Sequence, residues 1–440
     1  MKHVCFLPVV ISLLCGGTLA AKEYALGDCF AAAAANDYKL ASLADETGKQ
    51  EIARQAAFAS FTPEITADGT FRYASAVPEV NLSAINPMLG TIEMGKKNTG
   101  DVSLTVSEVI FSGGARGYAL RMAQNAAGIS RLREQMERDS VRETVLQLAY
   151  SCTLAQLNSD ALDAGIQRLS LDEERMRLFY GQGLASEYDV IGIRTKKQEQ
   201  EIQKAELETA RSAVLVQLAS LTGFADITGV ALPAAYLQAE PSGLLSDIET
   251  RIEQNTSLLI LQQEKDTAEL AKKRDLAAFL PVIAGSGTFH YADPGLNYTG
   301  DGWQAYGTAG ISVSMNLWDR GQKLNAVRSD SLSADEAENN RREGLRSLRA
   351  ELQQDAAALA SFSAQSDTAA SILTDKQKQY DLVSDLWKKG QKTTLDVLTA
   401  GQDLTAADLR VKNLHMQYLS LYQRILFLLN EPLWNTDTAE

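Results

Sequence analysis

Ala59-Ser60-Phe61-Thr62-Pro63-Glu64-Ile65 returns later in the chain as Ala277-Ala278-Phe279-Leu280-Pro281-Val282-Ile283. Gly69-Thr70-Phe71-Arg72-Tyr73-Ala74 returns as Gly287-Thr288-Phe289-His290-Tyr291-Ala292, at the same offset of 218 residues and without a gap. So many identities, Pro and Gly among them, mark an internal duplication. Proline suits the point where a helix hands over to a strand, because it can neither continue the helix nor donate to a ladder. Beyond it the residues alternate: Ile65, Ala67, Gly69, Phe71 and Tyr73 against Glu64, Thr66, Asp68, Thr70 and Arg72. Val102, Leu104 and Val106 alternate with Ser103, Thr105 and Ser107, and Ile311, Val313, Met315 and Leu317 with Ser312, Ser314 and Asn316. A period of two with one apolar and one small, polar face fits a strand between lipid and water. A soluble sandwich with one wet face has the same pattern. The aromatic residues near the strand ends (Phe71, Tyr73, Phe111, Tyr291, Tyr306, Trp318) are placed as an interfacial girdle would be.

Two further matches share an offset of 207 residues. Val106-Ser107 with Phe111 and Gly114 pairs with Val313-Ser314 with Trp318 and Gly321; Gly183 to Ile191 pairs with Gly390 to Leu398. The stretch between them therefore has one length in both halves, as a rigid element requires. It is helical: Val141, Val145, Leu148, Cys152, Ala155, Ser159, Leu162, Ile166, Leu169, Glu173, Met176 and Tyr180 step by four and three. Leu348, Leu352, Leu359, Phe362, Ala369, Leu373, Tyr380, Val383 and Trp387 repeat the seam. Each helix would run for about 100 Å. Gly113-Gly114 and Gly321 give the backbone freedom to turn from strand into long helix. A coiled-coil filament or tether explains these helices but leaves the strands without a use.

The ends and the composition narrow the class. Lys2 and His3, an apolar run from Val4 to Leu14, and Thr18-Leu19-Ala20 form a secretory signal peptide cut after Ala20. Leu14 before Cys15 does not suit lipidation. No later apolar run reaches the length of a spanning helix; Leu419 to Leu429 is short and carries Arg424. A closed barrel is then the remaining way into a membrane. A net charge of -14 over 440 residues, without a basic cluster, argues against nucleic-acid binding. Cys29, Cys152, His290 and His415 are the only Cys and His left after cleavage, so neither a disulfide framework nor a metal-ligand spacing exists. No nucleophile motif or phosphate loop points to an enzyme, and no cofactor is implied.

The chain then divides into a signal peptide, two repeats, a linker and a tail. Residues 1–20 are the signal and 21–223 the first repeat: a helix, strands near 62–75 and 101–111, a long helix near 114–181 and a helix near 186–222. Residues 224–243, with Pro233 and Pro241, form the linker. The second repeat, 244–430, has a helix, strands near 281–292 and 303–318, a long helix near 321–388 and a helix near 393–430; 431–440 is a mobile tail. Four strands cannot close a transmembrane barrel, which needs about eight. Three copies would supply twelve.

Over essentially the whole mature chain this pattern resembles the TolC-like outer-membrane factors. The duplicated helix-Pro-strand joint, Phe111-Ser112-Gly113-Gly114 and the Gly-Leu-Ala-Ser-x-x-Asp-Val turn at 183–190 carry the resemblance. It implies an α+β membrane protein: a homotrimer whose twelve-stranded outer-membrane β-barrel continues into a periplasmic α-helical coiled-coil tunnel. It implies partners as well, a periplasmic adaptor (membrane fusion) protein and an inner-membrane transporter, in efflux or type I secretion. A structural coiled-coil protein of the envelope is the competing reading.

The same resemblance assigns residues. Gly183, Leu184, Ala185 and Ser186, with counterparts Gly390, Lys392 and Thr393, would be the adaptor-contact tips. Bottom-up, the glycines end one helix while Ser186 and Thr393 cap the next, with Asp189 and Asp396 favourable in its first turn. Asp396 matches an acidic ring at the family's tunnel constriction, where three carboxylates would favour cations. A second aspartate found there in some members is Thr399 here. Trp387 and Lys392 stand where others place a tyrosine and an arginine that brace the closed gate. Asp189 is expected to brace the neighbouring helix, through the Trp387 indole.

Overall fold

The chain runs twice through one order of elements. The first pass is β1 (Lys22–Ala25), α1 (Leu26–Asn36), α2 (Tyr38–Ala59), β2 (Glu64–Tyr73), a small hairpin of β3 (Glu79–Asn81) and β4 (Thr91–Glu93), β5 (Asn98–Phe111), α3 (Ala115–Gly181) and α4 (Glu187–Thr222). β6 (Ile227–Ala231) and a 3-10 turn (Ala234–Leu237) follow. The second pass is α5 (Thr256–Ala277), β7 (Val282–Asp293), β8 (Gln304–Ser314), α6 (Gln322–Lys388), α7 (Thr394–Leu428) and a last 3-10 turn (Leu433–Asn435). This computed structural model describes residues 22–81, 91–93, 95–238, 251–296 and 302–435. The residues expected as a signal peptide, with Cys15, the end of the expected linker and the last five residues lie outside them. Two units divide the chain, one of residues 42–136 and 253–348, the other of residues 1–41, 137–252 and 349–440.

The first unit holds a four-stranded antiparallel sheet in the order β2-β5-β7-β8. Its register sorts the side chains. Ile65, Val106 and Gly287 share a row, as do Ala67, Leu104 and Phe289, then Gly69, Val102 and Tyr291; Ile311 and Val313 continue that face on β8. Asp68, Ser103 and His290, and Thr66, Thr105 and Thr288, lie on the other face. Along β5 the apolar Val102, Leu104 and Val106 are exposed, while Asp101, Ser103, Thr105 and Ser107 are half-buried. A sheet that curls crowds side chains on its concave face and splays them on its convex one, so the pattern is that of a polar-inward curl.

Each face has its own cross-strand contacts. On the polar face the Thr105 and Thr288 hydroxyls meet at 3.0 Å, and His290 sits 3.2 Å from Asp101 and stacks on Tyr306. On the apolar face Trp303 stacks on Tyr291 at 5.1 Å and fills the space over Gly100, where a Cβ would come within 2.7 Å of the indole. β2 and β8 stand at the ends of the strand order, so the sheet of one chain is open. β8 stops at Ser314, short of the expected end near 318. The alternation through Met315 and Leu317 outlasts the partner strand, which begins at Val282 opposite Ser314. Asn316 and Asp319 instead take the backbone N–H groups of Trp318, Gly321 and Lys323, and so start α6.

The two strand-to-helix joints repeat in chemistry. Gly113 has φ +63°, and a Cβ there would lie 2.9 Å from the Ala277 carbonyl oxygen, so only glycine lets this turn approach the end of α5. Arg116, just inside α3, pairs with Glu108 at 2.9 Å, donates to the carbonyls of Ser60 and Val109, and covers the Phe61 ring.

The second unit is helical, with a small parallel pair of β1 and β6. Its core gathers Val145, Leu146 and Ala149 of α3, Leu218 of α4 and Leu419 of α7 around Cys29, Ile227, Tyr236 and Trp434. The expected seam of α3 is there in Val141, Val145, Cys152, Leu162 and Met176, and Leu146, Ala149 and Tyr150 add a second buried stripe beside it. The stretch expected as linker is therefore anchored over residues 224–238. Tyr24 stacks on Phe224 at 4.1 Å, its hydroxyl donates to Asp226, and the Tyr150 hydroxyl donates to the carbonyl of the fully buried Tyr236. The start of the tail is anchored too, since Trp434 is buried and its indole donates to Asp139 at 3.2 Å. Burying these large rings outweighs the freedom that the neighbouring Pro, Gly and Ala would otherwise confer. Burial pushes the Cys29 thiol up to about 11, which leaves it unreactive.

Candidate functional site: the paired hairpin turns

Both long helices end in the same way. The Gly183 N–H donates to Tyr180 and the Leu184 N–H to Phe179; at the end of α6 the Gly390 N–H donates to Trp387 and the Gln391 N–H to Leu386, all at 2.8–2.9 Å. With φ +74° at Gly183 and +72° at Gly390, these are Schellman ends, which satisfy otherwise unpaired helix carbonyls.

Three residues later each chain segment re-enters a helix through a reciprocal capping box. The Asp189 N–H donates to Ser186 Oγ at 3.3 Å, and the Ser186 N–H and hydroxyl donate to Asp189 Oδ2 at 3.2 and 2.5 Å. The Asp396 N–H donates to Thr393 Oγ1 at 3.2 Å, and the Thr393 N–H and hydroxyl both donate to Asp396 Oδ2 at 2.9 Å. The sequence alone suggested the caps and a favourable first-turn charge; the return bond from each aspartate is new. Both carboxyls are held below the usual carboxylate range. The Ser186 hydroxyl is the main cause at Asp189, with the Thr394 hydroxyl of the other hairpin contributing. The Thr393 backbone N–H is the main cause at Asp396, with Lys392, 4.0 Å away, adding to it.

Trp387 takes no part in bracing Asp189. It is buried in a cluster with Leu169, Met176, Ile193, Val397 and Leu398, edge-on to Phe179 at 6.3 Å, with the Arg175 guanidinium 5.9 Å above its face. An indole is too large to leave this apolar site for one hydrogen bond, and Ser186 and Thr394 already serve the carboxylate. Thr399 is exposed one turn beyond Asp396, and Ala185 packs against the Trp387 cluster. Leu184 and Leu395 point outward, each more than seven-tenths exposed.

Behind the turns lies a polar cluster that sequence reasoning missed. Asp172 is buried, 3.5 Å from Arg175, and burial raises its carboxyl against the pull of Arg175, Lys388 and Arg168. Arg168 donates to Thr405 at 2.8 Å and lies over Tyr380. The signal available in the sequence was the break in the apolar seam at Glu173, which is buried against Arg177 and Lys197. Between the two turns opens a cleft of about 550 Å³, walled by Met176, Phe179 and Leu184 on one side and by Trp387, Lys389 and Lys392 on the other.

Residues 248–431 match the family model described as outer membrane efflux protein. Over more than nine-tenths of its length the chain has the fold of solved channels. The outer membrane protein VceC of Vibrio cholerae aligns with TM-score 0.72 and 16% identity, over 92% of this chain and 96% of that one. The CmeC outer membrane channel of Campylobacter jejuni aligns with TM-score 0.72 and 17% identity, over 92% and 85%. The open state of the MtrE outer membrane channel of Neisseria gonorrhoeae aligns with TM-score 0.66 and 12% identity, over 94% and 93%. None of the curated proteins matches the chain in sequence. The TolC-like resemblance is thus met by the family model over residues 248–431 and by the fold over most of the chain.

Proposed function

We propose that three copies of this chain form the outer-membrane channel of a tripartite efflux or type I secretion system. The observation that carries the reading is β5, inside the sheet, whose apolar Val102, Leu104 and Val106 are exposed while Asp101, Ser103, Thr105 and Ser107 are half-buried. Water does not stabilise that arrangement, whereas lipid outside and an aqueous lumen inside do. Three open four-stranded sheets joined edge to edge would pair the free ladders of β2 and β8 and close a twelve-stranded barrel. From Ile65 to Phe71 the apolar rows span about 20 Å at about 3.3 Å per residue, close to the roughly 25 Å apolar band of such barrels.

The helical part would stand in the periplasm, after loss of residues 1–20 and without a lipid on Cys15. The turns at Gly183–Ser186 and at Gly390, Lys392 and Thr393 would receive a periplasmic adaptor, which links the channel to an inner-membrane transporter. Asp396 would line the constriction as a threefold carboxylate ring, Asp189 would tie the first hairpin to the second through Thr394, and Lys392, Trp387 and Thr399 would shape the closed end. Membrane fractionation and native mass spectrometry test the assembly: an outer-membrane trimer supports it, and a soluble periplasmic monomer contradicts it.

A further inference from the structure

The cleft between the two hairpin turns has features that neither helix capping nor ion conduction requires. At about 550 Å³ it is within the range of small-molecule sites, roughly 300–1,000 Å³. Its floor is apolar: the half-buried Phe179 meets the Trp387 indole edge-on, and Met176 and Trp387, both almost fully buried, back it. Leu184 is 73% exposed at its mouth, an apolar wall facing water.

The rim is basic. Lys388, Lys389 and Lys392 all line the cleft, against the single carboxylate of Asp189. Lys388 pairs with Asp385 at 3.1 Å, and Lys392 reaches Asp396 only at 4.0 Å. Among the described residues Lys389 makes no ion pair. The Asp189 oxygen nearest Ser186 is already occupied by two donors from that residue. A flat apolar floor below an excess of ammonium groups attracts an aromatic or aliphatic body that carries a negative charge, and repels its cationic analogue.

We propose that this cleft binds a small amphipathic anion, one ring system bearing a single sulfonate or carboxylate, with the ring against Phe179 and Leu184 and the charge at Lys389 and Lys392. Because the floor comes from both hairpins and the lysines from one, an occupant bridges the two turns. It therefore favours the arrangement in which the two turns stay together.

The site is contained in one chain, so the proposal stands apart from the channel reading and is tested on binding alone. Isothermal titration of the purified full-length protein in lipid nanodiscs, with 2-naphthalenesulfonate as probe, should show saturable binding of one molecule per chain. The cationic 2-naphthyltrimethylammonium should bind about tenfold more weakly or worse, and the double variant Lys389→Gln/Lys392→Gln should lose about tenfold for the sulfonate. Both lysines are exposed, so the variant keeps its fold, which circular dichroism checks. Leu184→Asp, which removes the apolar wall and adds a like charge to the probe, should weaken binding as well. Uptake without saturation, equal binding of the two probes, or unchanged affinity in the lysine double variant would overturn the proposal.

Discussion

The Arg116 guanidinium lies 4.7 Å above the Phe61 ring, and the repeat reproduces the contact with Lys323 above Phe279 at 5.7 Å. Each cation stands in the first turn of a long helix and each ring two residues before the proline that begins a strand. The pair therefore clamps the incoming and outgoing ends of the sheet at one joint.

The two copies are unequal, which makes the joint testable. Arg116 is sheltered and also holds Glu108 and two carbonyls, whereas Lys323 adds only a 3.1 Å bond to the Asn316 carbonyl. Arg116→Ala should destabilise by about 2 kcal/mol or more, because it leaves Glu108 and the carbonyls unpaired. Lys323→Ala should cost about 1 kcal/mol or less. Thermal unfolding followed by circular dichroism measures both.

Gly113 and Gly114 at one joint have φ +63° and +87°, their counterparts Arg320 and Gly321 at the other have +59° and +84°, and of the three glycines only Gly113 has backbone in the way of a Cβ. Gly113→Ala should cost about 3 kcal/mol or more, from the left-handed strain and the clash with the Ala277 carbonyl. Gly321→Ala should cost about 1–2 kcal/mol from strain alone. The same unfolding assay separates them.

The capping boxes give a pH dependence with a definite sign. Asp189 and Asp396 have lowered folded-state pKa values. Their contribution is therefore complete above the unfolded carboxylate value of about 3.9, and is lost as pH falls through the lower folded values. Protection factors for hydrogen exchange at the starts of α4 and α7, taken against the intrinsic rate at each pH, should be flat from neutral pH to about pH 4 and should fall below it. Ser186→Ala should weaken its own turn by about 1 kcal/mol at neutral pH.

Much of this was legible beforehand. Phe61-x-Pro63 and Phe279-x-Pro281 marked the joints, and the alternation from Ile65 to Tyr73 marked a two-faced strand. What stayed hidden depends on contacts distant in sequence. Tyr236 is held by Tyr150, and Trp434 by Asp139, so no local pattern distinguishes an anchored 3-10 turn from a slack connector. The cluster of Asp172 and Arg168 on α3, Tyr380 on α6 and Thr405 on α7 exists only when three helices meet. Asp189 was expected to reach Trp387, yet the indole packs in the apolar cluster and the carboxylate's hydrogen bonds go to Ser186 beside it.

The two aspartates should also differ in a conducting trimer. Asp396→Ala should weaken cation preference in planar bilayers, through loss of three converging charges. Asp189→Ala should raise open probability with little change in selectivity, because the capping box with Ser186 goes and the turn loosens. A reversed pattern would exchange their roles.

The central claim is that the sheet has lipid on one face and water on the other. Single cysteines at residues 102 to 107 carry a spin label, and Cys29 and Cys152, both buried, do not compete for it. In outer membranes, labels at Val102, Leu104 and Val106 should be relaxed by oxygen, and those at Ser103, Thr105 and Ser107 by a water-soluble nickel complex, in strict alternation. Nickel access at Leu104 equal to that at Thr105 would contradict the account, because it would place water on both faces of the sheet.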